Sequence, residues 1–279
     1  MRVSCWLLPL LLSLLAAREP LSAAPATNQA PGVLDYADPK LLTATLYQLG
    51  SHQRNVLFRF RRSATELGNS IQVDRTFDLP DGLQAAVEHI VYKSGKLAAY
   101  RLNDFRAGFW GCISIINDPV HPGRKQLIIS HGSDRSSKIA SRTEDLSPNT
   151  LIDDTVYPFI LSHWQLLEHG AIEKFQFVSL GWDRTFGFKV FKTGTSVLDG
   201  QAVLRLTMQP SNFFIARMVK PIRLSIEQQM PHRLLEYVGR TTPRVKTGGS
   251  WKYLNAVTIF HWPDQKSAQA AFISKKIGS

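Results

Sequence analysis

Apolar and polar residues alternate along much of this chain, with the period of two that is typical of β-strands buried on one face. From Val56 to Arg61 one set of alternate positions is apolar and the other is largely basic. From Ile71 to Phe77 the alternation repeats, with Arg75 as an exception among apolar positions. The pattern therefore predicts strands with one face in a core and one face in solvent.

Turn residues separate these strands and predict which of them are neighbours. Ser94-Gly95 predicts a hairpin between Gln84–Lys93 and Lys96–Asn103. The turn-rich segment NDPVHPG predicts a second hairpin between Phe109–Ile116 and Arg124–His131. Later strands are predicted at Ala171–Leu180, Thr185–Lys192, Ala202–Gln209, Ile222–Gln228, Arg233–Arg240 and Tyr253–Trp262.

Helical patterns are few. One short helix is predicted over Pro39–Leu49, between an aspartate cap and a glycine. The main helix is predicted to begin at Asp153-Asp154, whose negative charges suit a helix N-terminus, and to end at Gly170. Residues 213–219 are predicted to form a short helix or a bulged crossing, and the tail from Asp264 a last helix.

About ten strands and one main helix predict a mainly β, β-rich α+β fold. A sheet of this size must curl to protect its edges, so we expect a large curved antiparallel sheet or half-barrel with one covering helix. The predicted β-rich domain spans residues 55–262. An N-terminal arm with the short helix precedes it at 27–54, and a C-terminal tail follows at 263–279.

The first 26 residues have the features of a secretory signal peptide. Arg2 precedes an apolar run of 13 residues, Cys5–Ala17, and Ala24-Pro25-Ala26 offers a cleavage site. The run is shorter than the roughly 20 residues of a membrane-spanning helix. We therefore expect an exported protein, periplasmic or secreted, in a Gram-negative bacterial envelope, with no transmembrane span after processing.

The chain carries a formal charge of +11, and removal of residues 1–26 would leave +10. This excess favours anionic partners such as lipid headgroups or envelope polymers. Nucleic acid is not expected as a partner, because Phe and Arg alternate in the strand from Val56 and so lie on opposite faces. The oligomeric state is left open by the sequence.

Signatures of catalysis and metal binding are missing from the sequence. It contains no G-x-S-x-G, H-E-x-x-H, Walker or C-x-x-C motif, and its eight histidines are scattered. Asp153 and Asp154 are better explained as helix-capping residues than as an acid/base pair. We therefore predict no catalytic residues, no metal and no cofactor, which favours a non-enzymatic protein.

Aromatic residues are the most informative candidates for a binding site. On the inner face of a curved sheet they either line an apolar ligand cavity or fill an ordinary core. An arginine at the mouth of such a cavity would suit an acidic headgroup. The candidate ligand-binding residues are Trp164, Phe188, Phe213, Phe214 and Arg240.

Two blocks of sequence resemble a group of uncharacterised exported bacterial proteins related to a periplasmic domain of unknown function. The blocks comprise Asp154–Val156, Trp164-x-x-Leu167-x-x-Gly170, Phe175–Val178, Met208–Ser211, Pro231–Leu234 and Gly239–Pro243. The resemblance implies a curved antiparallel sheet around an apolar space in the cell envelope, comparable with the lipoprotein-carrier half-barrels. It implies no catalytic residues.

Three functions are compatible with these features. The leading hypothesis is a periplasmic, non-enzymatic protein that binds an apolar or amphipathic, lipid-like ligand. The second is a structural or interaction protein that docks an envelope component through a sheet edge or a basic face containing Arg59 and Arg61. The third is a hydrolase whose site is assembled from scattered residues.

Overall fold

The computed structural model describes residues 35–134 and 136–263. Its strands are β1 (Leu41–Gln48), β2 (Val56–Leu67), β3 (Ser70–Asp78), β4 (Gln84–Lys93), β5 (Lys96–Asp104), β6 (Phe109–Asn117), β7 (Lys125–Ser133), β8 (Ser136–Asp145), β9 (Thr150–Leu151), β10 (Ile172–Ser179), β11 (Arg184–Leu198), β12 (Gln201–Pro210), β13 (Ile222–Glu227), β14 (Leu234–Thr247) and β15 (Ser250–His261). Its helices are α1 (Asp153–Ser162), α2 (Trp164–Glu168) and α3 (Phe213–Met218), with a 3₁₀ turn at Leu180–Trp182.

All of these strands belong to one sheet built from two meanders. Strands β1 to β8 pair antiparallel in chain order, and so do β10 to β15, while the short β9 runs parallel to β10. β15 pairs with β1, for example Thr43 opposite His261, so the first and last strands are neighbours at the centre. The edge strands are β8 and β9. The predicted β-rich class with a large antiparallel sheet is confirmed.

Contacts between strands near opposite edges show that the sheet curls. The backbone NH and hydroxyl of Thr185, on β11, both donate to Glu144 on β8, at 2.9 and 2.8 Å. His131 Nε2 on β7 lies 2.6 Å from Asp183 Oδ1, in the turn after the 3₁₀ segment. These strands are far apart in the order of the sheet, so only strong curvature brings them together.

The concave face holds the core, because alternate residues of each strand point inward. One apolar cluster is built mainly from β1 to β7 and includes Phe58, Ile90 and Ile129. The other joins α1 and α2 to β10–β14 and includes Phe159 and Leu204. The helices α1 and α2 therefore lie inside the curve and cover the apolar face, as predicted for the covering helix.

The predicted helix over Pro39–Leu49 is wrong, because Leu41–Gln48 forms β1. Leu42, Ala44 and Leu46 are buried at alternate positions, and the intervening residues include β-branched threonines. Pro39 and Gly50 flank this segment. Proline and glycine can mark the ends of a strand as well as the ends of a helix.

The main predicted helix is also divided, since α1 ends at Ser162 and α2 begins at Trp164. The capping role predicted for Asp153-Asp154 is wrong as well. Ile152 is the N-cap residue, and the two aspartates lie in the first turn of α1.

Several predictions fall outside the described residues, namely the signal peptide at 1–26 and the helix from Asp264. Within residues 35–134 and 136–263, every helix is too short or too polar to cross a bilayer.

Candidate functional site

A cavity of about 100 Å³ lies between α1 and the inner face of the central strands. Six apolar side chains from three regions of the sheet and from α1 form much of its wall: Leu46, Phe60, Ile160, Met208, Leu224 and Phe260. They point inward because each occupies the core-facing phase of its strand or helix. The wall is therefore suited to an apolar group.

One end of the cavity is polar and includes Arg75, Asp153, Tyr237, Arg240 and Thr242. The side chain of Asp153 is 35% exposed, and it lies 3.9 Å from Arg75 Nη2. Thr242 Oγ1 donates to Asp153 Oδ2 at 3.4 Å. The Tyr237 hydroxyl donates to the carbonyl oxygen of Arg240 at 3.0 Å. Burial raises the pKa of Asp153, although Arg75 opposes this shift.

Behind this polar end, a row of charged side chains crosses three strands on the concave face. Arg62 on β2 is directly opposite Arg75 on β3, and Arg75 is directly opposite Glu88 on β4. Two arginines in direct register repel each other. The first turn of α1 brings Asp153 and Asp154 to this row, so each arginine has a carboxylate beside it.

Asp154 is held by an extensive set of hydrogen bonds. Arg62 donates to both of its carboxylate oxygens, at 2.8 and 3.2 Å, and the Tyr92 hydroxyl donates at 2.8 Å. Arg62 also donates to the carbonyl oxygens of Tyr36 and Pro39. Burial alone would raise the pKa of Asp154, but these charges and hydrogen bonds hold it below its usual value. This buried pair fastens α1 to the sheet.

Glu88 has a different environment from Asp154. It is fully buried, with Arg75 Nη1 at 2.8 Å from its Oε2. Burial raises its pKa to about 7, against the opposing charge of Arg75. Near neutral pH the carboxyl is therefore partly protonated, because burial disfavours its charged form and the nearby Asp153 carboxylate adds a smaller repulsion.

Two further arginines are placed by an irregularity in β14. Arg240 pairs with Asn255 and Arg244 with Tyr253, so β14 carries two more residues than β15 between these positions. Such a bulge changes the direction of side chains along a strand. The guanidinium carbons of Arg240 and Arg244 lie 4.1 and 4.7 Å from the centre of the Tyr253 ring.

Arg240 and Arg244 differ from the buried row in their lack of guanidinium ion pairs. The backbone NH of Arg244 does donate to Asp104 Oδ2 at 2.8 Å, and the charge of Arg244 opposes the rise that burial causes in the pKa of Asp104. Among the described residues, no carboxylate forms an ion pair with either guanidinium. Burial and the charge of Arg244 lower the pKa of Arg240, which is nonetheless exposed on its outer side. Arg244 is half-buried, stacks on Phe109 at 3.7 Å and donates to the Tyr253 hydroxyl at 3.1 Å. Two adjacent cations on aromatic rings form an arrangement that can receive an anion.

The five candidate residues from the sequence are not brought together. Arg240 lines the cavity. Trp164 and Phe188 are buried in the second apolar cluster, where Trp164 stacks on His232 with 3.9 Å between ring centres. Phe213 and Phe214 are exposed on α3.

Arg75, Asp153 and Arg244 were not among the site residues predicted from the sequence. The sequence does contain a signal for Arg75, because this arginine interrupts the apolar alternate positions of β3. In the part of the chain that the structure describes, no three His, Cys, Asp or Glu side chains are grouped so that they could hold a metal ion.

No family model matches this sequence, and no curated protein matches it. Among solved structures, the chain is similar to a β-barrel-like protein of domain of unknown function DUF1849 from Brucella abortus. That pair has a TM-score of 0.36 and 9% identity, over 80% of this chain and 96% of the other. A DUF1329 family protein from Desulfovibrio piger has a TM-score of 0.24 and 10% identity, over 83% and 87%. Both belong to domains of unknown function, and the similarity is too low to place this chain in either family.

Proposed function

We propose that this protein binds an amphipathic, anionic ligand, with the apolar part in the cavity and the acidic head at Arg240 and Arg244. The observation that carries the proposal is Arg240, which lines the polar end of the apolar cavity and shares the Tyr253 ring with Arg244. Among the described residues, neither guanidinium forms an ion pair with a carboxylate. A carboxylate or phosphate there would accept charge-assisted hydrogen bonds, and it would relieve the repulsion between the two guanidiniums.

The size of the cavity limits the ligand. Its volume of about 100 Å³ is well below the ~300–1,000 Å³ of pockets that hold drug-sized ligands. We therefore propose a single short chain as the occupant of this conformation. A longer lipid chain would need α1 to move away from the sheet.

A second candidate function is docking of an envelope partner on the outer face. Arg59 and Arg61 are exposed on β2, and a shallow polar groove beside Arg61 contains Asp74, His89 and Asn103. This surface offers both signs of charge but no enclosed apolar space. The cavity therefore favours the ligand-binding proposal.

The test uses two ligands that share one chain length, octanoate and octanol, measured by calorimetric titration. Wild-type protein should bind octanoate about tenfold or more tightly than octanol, since hydrogen bonds to a charged group contribute about 1.5–3 kcal/mol. In Arg240→Gln/Arg244→Gln this preference should disappear, while Arg59→Gln/Arg61→Gln should keep it. Equal affinity of wild-type protein for both ligands would contradict the proposal. Native mass spectrometry of gently purified protein would show whether a natural ligand is retained.

A further inference from the structure

The helix α3 exposes large apolar side chains that the core does not use. Phe213, Phe214 and Met218 are 63, 75 and 71% exposed, all within six residues. The Asn212 side chain accepts hydrogen bonds from the backbone NH groups of Phe214 and Ile215, which fixes the start of the helix. Single exposed apolar residues are ordinary, whereas three on one short element indicate a contact surface.

The charge around α3 has one sign. No Asp or Glu occurs from residue 200 to residue 226, whereas Arg217, Lys220 and Arg223 lie in or just after the helix. The Arg217 guanidinium lies 4.5 Å from the centre of the Phe213 ring, so a cation stands directly beside an exposed apolar group. Apolar tips beside cations are suited to the boundary between lipid headgroups and acyl chains.

We propose that α3 docks the protein on an anionic lipid bilayer, with the phenylalanines and Met218 in the acyl boundary and the basic residues at the phosphates. The bilayer is favoured as the occupant by charge complementarity, since both this segment and the whole chain, at +11, are basic. The absence of Asp and Glu from residue 200 to residue 226 leaves the basic side chains of this segment available to lipid phosphates.

The position of α3 relates this surface to the cavity. α3 joins β12 to β13, which supply the cavity residues Met208 and Leu224. Gly239 on β14 lies against Ile222 at the start of β13, since a Cβ added to Gly239 would be 2.9 Å from the Ile222 side chain. The next residue, Arg240, is therefore near the end of β13 that follows α3. The docked protein would therefore hold the arginine end of its cavity near the membrane. The docking proposal rests on α3 alone and does not require the cavity to bind a ligand.

The test is sedimentation of the protein with vesicles of phosphatidylcholine, with or without phosphatidylglycerol. Phe213→Ser/Phe214→Ser should weaken binding to the anionic vesicles about tenfold or more, since each phenylalanine loses apolar burial. Arg217→Gln/Lys220→Gln should weaken it roughly fivefold per charge on anionic vesicles and little on neutral ones. Every variant keeps the same N-terminus, so any lipid contact made there is common to all.

Matched controls separate docking from general effects. Val197→Ser removes a side chain of similar exposure near the opposite end of β12, and Arg59→Gln/Arg61→Gln removes two charges far along the sequence from α3. Both should bind anionic vesicles like wild type, and equal melting temperatures would show that all variants fold. The proposal is overturned if wild-type protein does not sediment with anionic vesicles, or if the α3 variants sediment with them as wild type does. It is also overturned if α3 binds a protein partner and not lipid.

Discussion

The structure contains two pairs of arginines that differ in their partners. Arg62 and Arg75 are directly opposite each other inside the sheet, and each has a carboxylate from α1 beside it. Arg240 and Arg244 flank a tyrosine ring and form no ion pair with a carboxylate among the described residues. In the first pair, Arg62 donates hydrogen bonds to Asp154, and Arg75 forms ion pairs with Glu88 and Asp153. The second pair has no such ion pair, and we propose that it receives the acidic group of a ligand.

We propose that the first pair has a structural role and that the second pair has a binding role. Removing a partner from the inner pair leaves an uncompensated charge in the core, which is costly. Removing an arginine from the outer pair loses a cation–π contact of about 0.5–1 kcal/mol and relieves a repulsion. Substitutions in the inner pair should therefore change the free energy of unfolding. Substitutions in the outer pair should mainly change the affinity for an anionic ligand.

The largest effect is expected from Asp154→Ala. This substitution leaves Arg62 buried without its carboxylate, and the free energy of unfolding should fall by about 3–5 kcal/mol. Urea denaturation measures the change. The matched control is Asp74→Ala, which removes an exposed carboxylate beside His89 and should cost less than about 1 kcal/mol. A similar small loss for Asp154→Ala would show that α1 is not fastened by this pair.

Glu88→Gln should change the pH dependence of stability. Because the pKa of Glu88 is raised to about 7 in the folded protein, its protonation stabilises the folded state at low pH. That contribution is lost as the pH rises through about 7. Between about pH 5 and about pH 8, wild type should lose on the order of 3 kcal/mol relative to Glu88→Gln. Denaturation at both pH values tests this, and parallel pH curves for the two proteins would contradict it.

Arg240→Gln should have a small effect on stability. The loss of the contact with Tyr253 should lower the free energy of unfolding by about 1 kcal/mol or less. The same variant should lose part of its preference for octanoate over octanol. A destabilisation as large as that of Asp154→Ala would remove the distinction between the two pairs of arginines.

The smallest effect is expected on the outer face. Arg59→Gln/Arg61→Gln replaces two exposed side chains of β2, and its free energy of unfolding should stay within about 0.5 kcal/mol of wild type. Thermal denaturation is sufficient to measure this. A larger loss would mean that these arginines have partners of structural importance.

Much of the sheet could be predicted from the sequence because strand periodicity and turn residues are local signals. The hairpin of β4 and β5 has the predicted turn at Ser94-Gly95, and β6 pairs with β7 as expected. β1 was assigned to a helix because its flanking proline and glycine fit either structure. The strand β8 and the short β9 were not predicted.

The site was harder to predict because its residues come from distant strands. Arg75 was visible as an exception in an apolar alternation, and Glu88 occupies a similar core-facing position between Ala86 and Ile90. Their pairing depends on the register between β3 and β4. The bulge that places Arg244 beside Tyr253 has no equally local signal, because it depends on the pairing of β14 with β15.

The pairing of β1 with β15 has a consequence for how the chain reaches this structure. Thr43 is opposite His261, so the central seam of the sheet joins segments more than two hundred residues apart. Such non-local pairing is slow, because loop-closure entropy must be lost before the contacts form. Until β15 is available, β1 presents an open edge with Leu42, Ala44 and Leu46 on one face. The last strand thus acts as the closing element, and a chain that ends before it would expose an aggregation-prone edge.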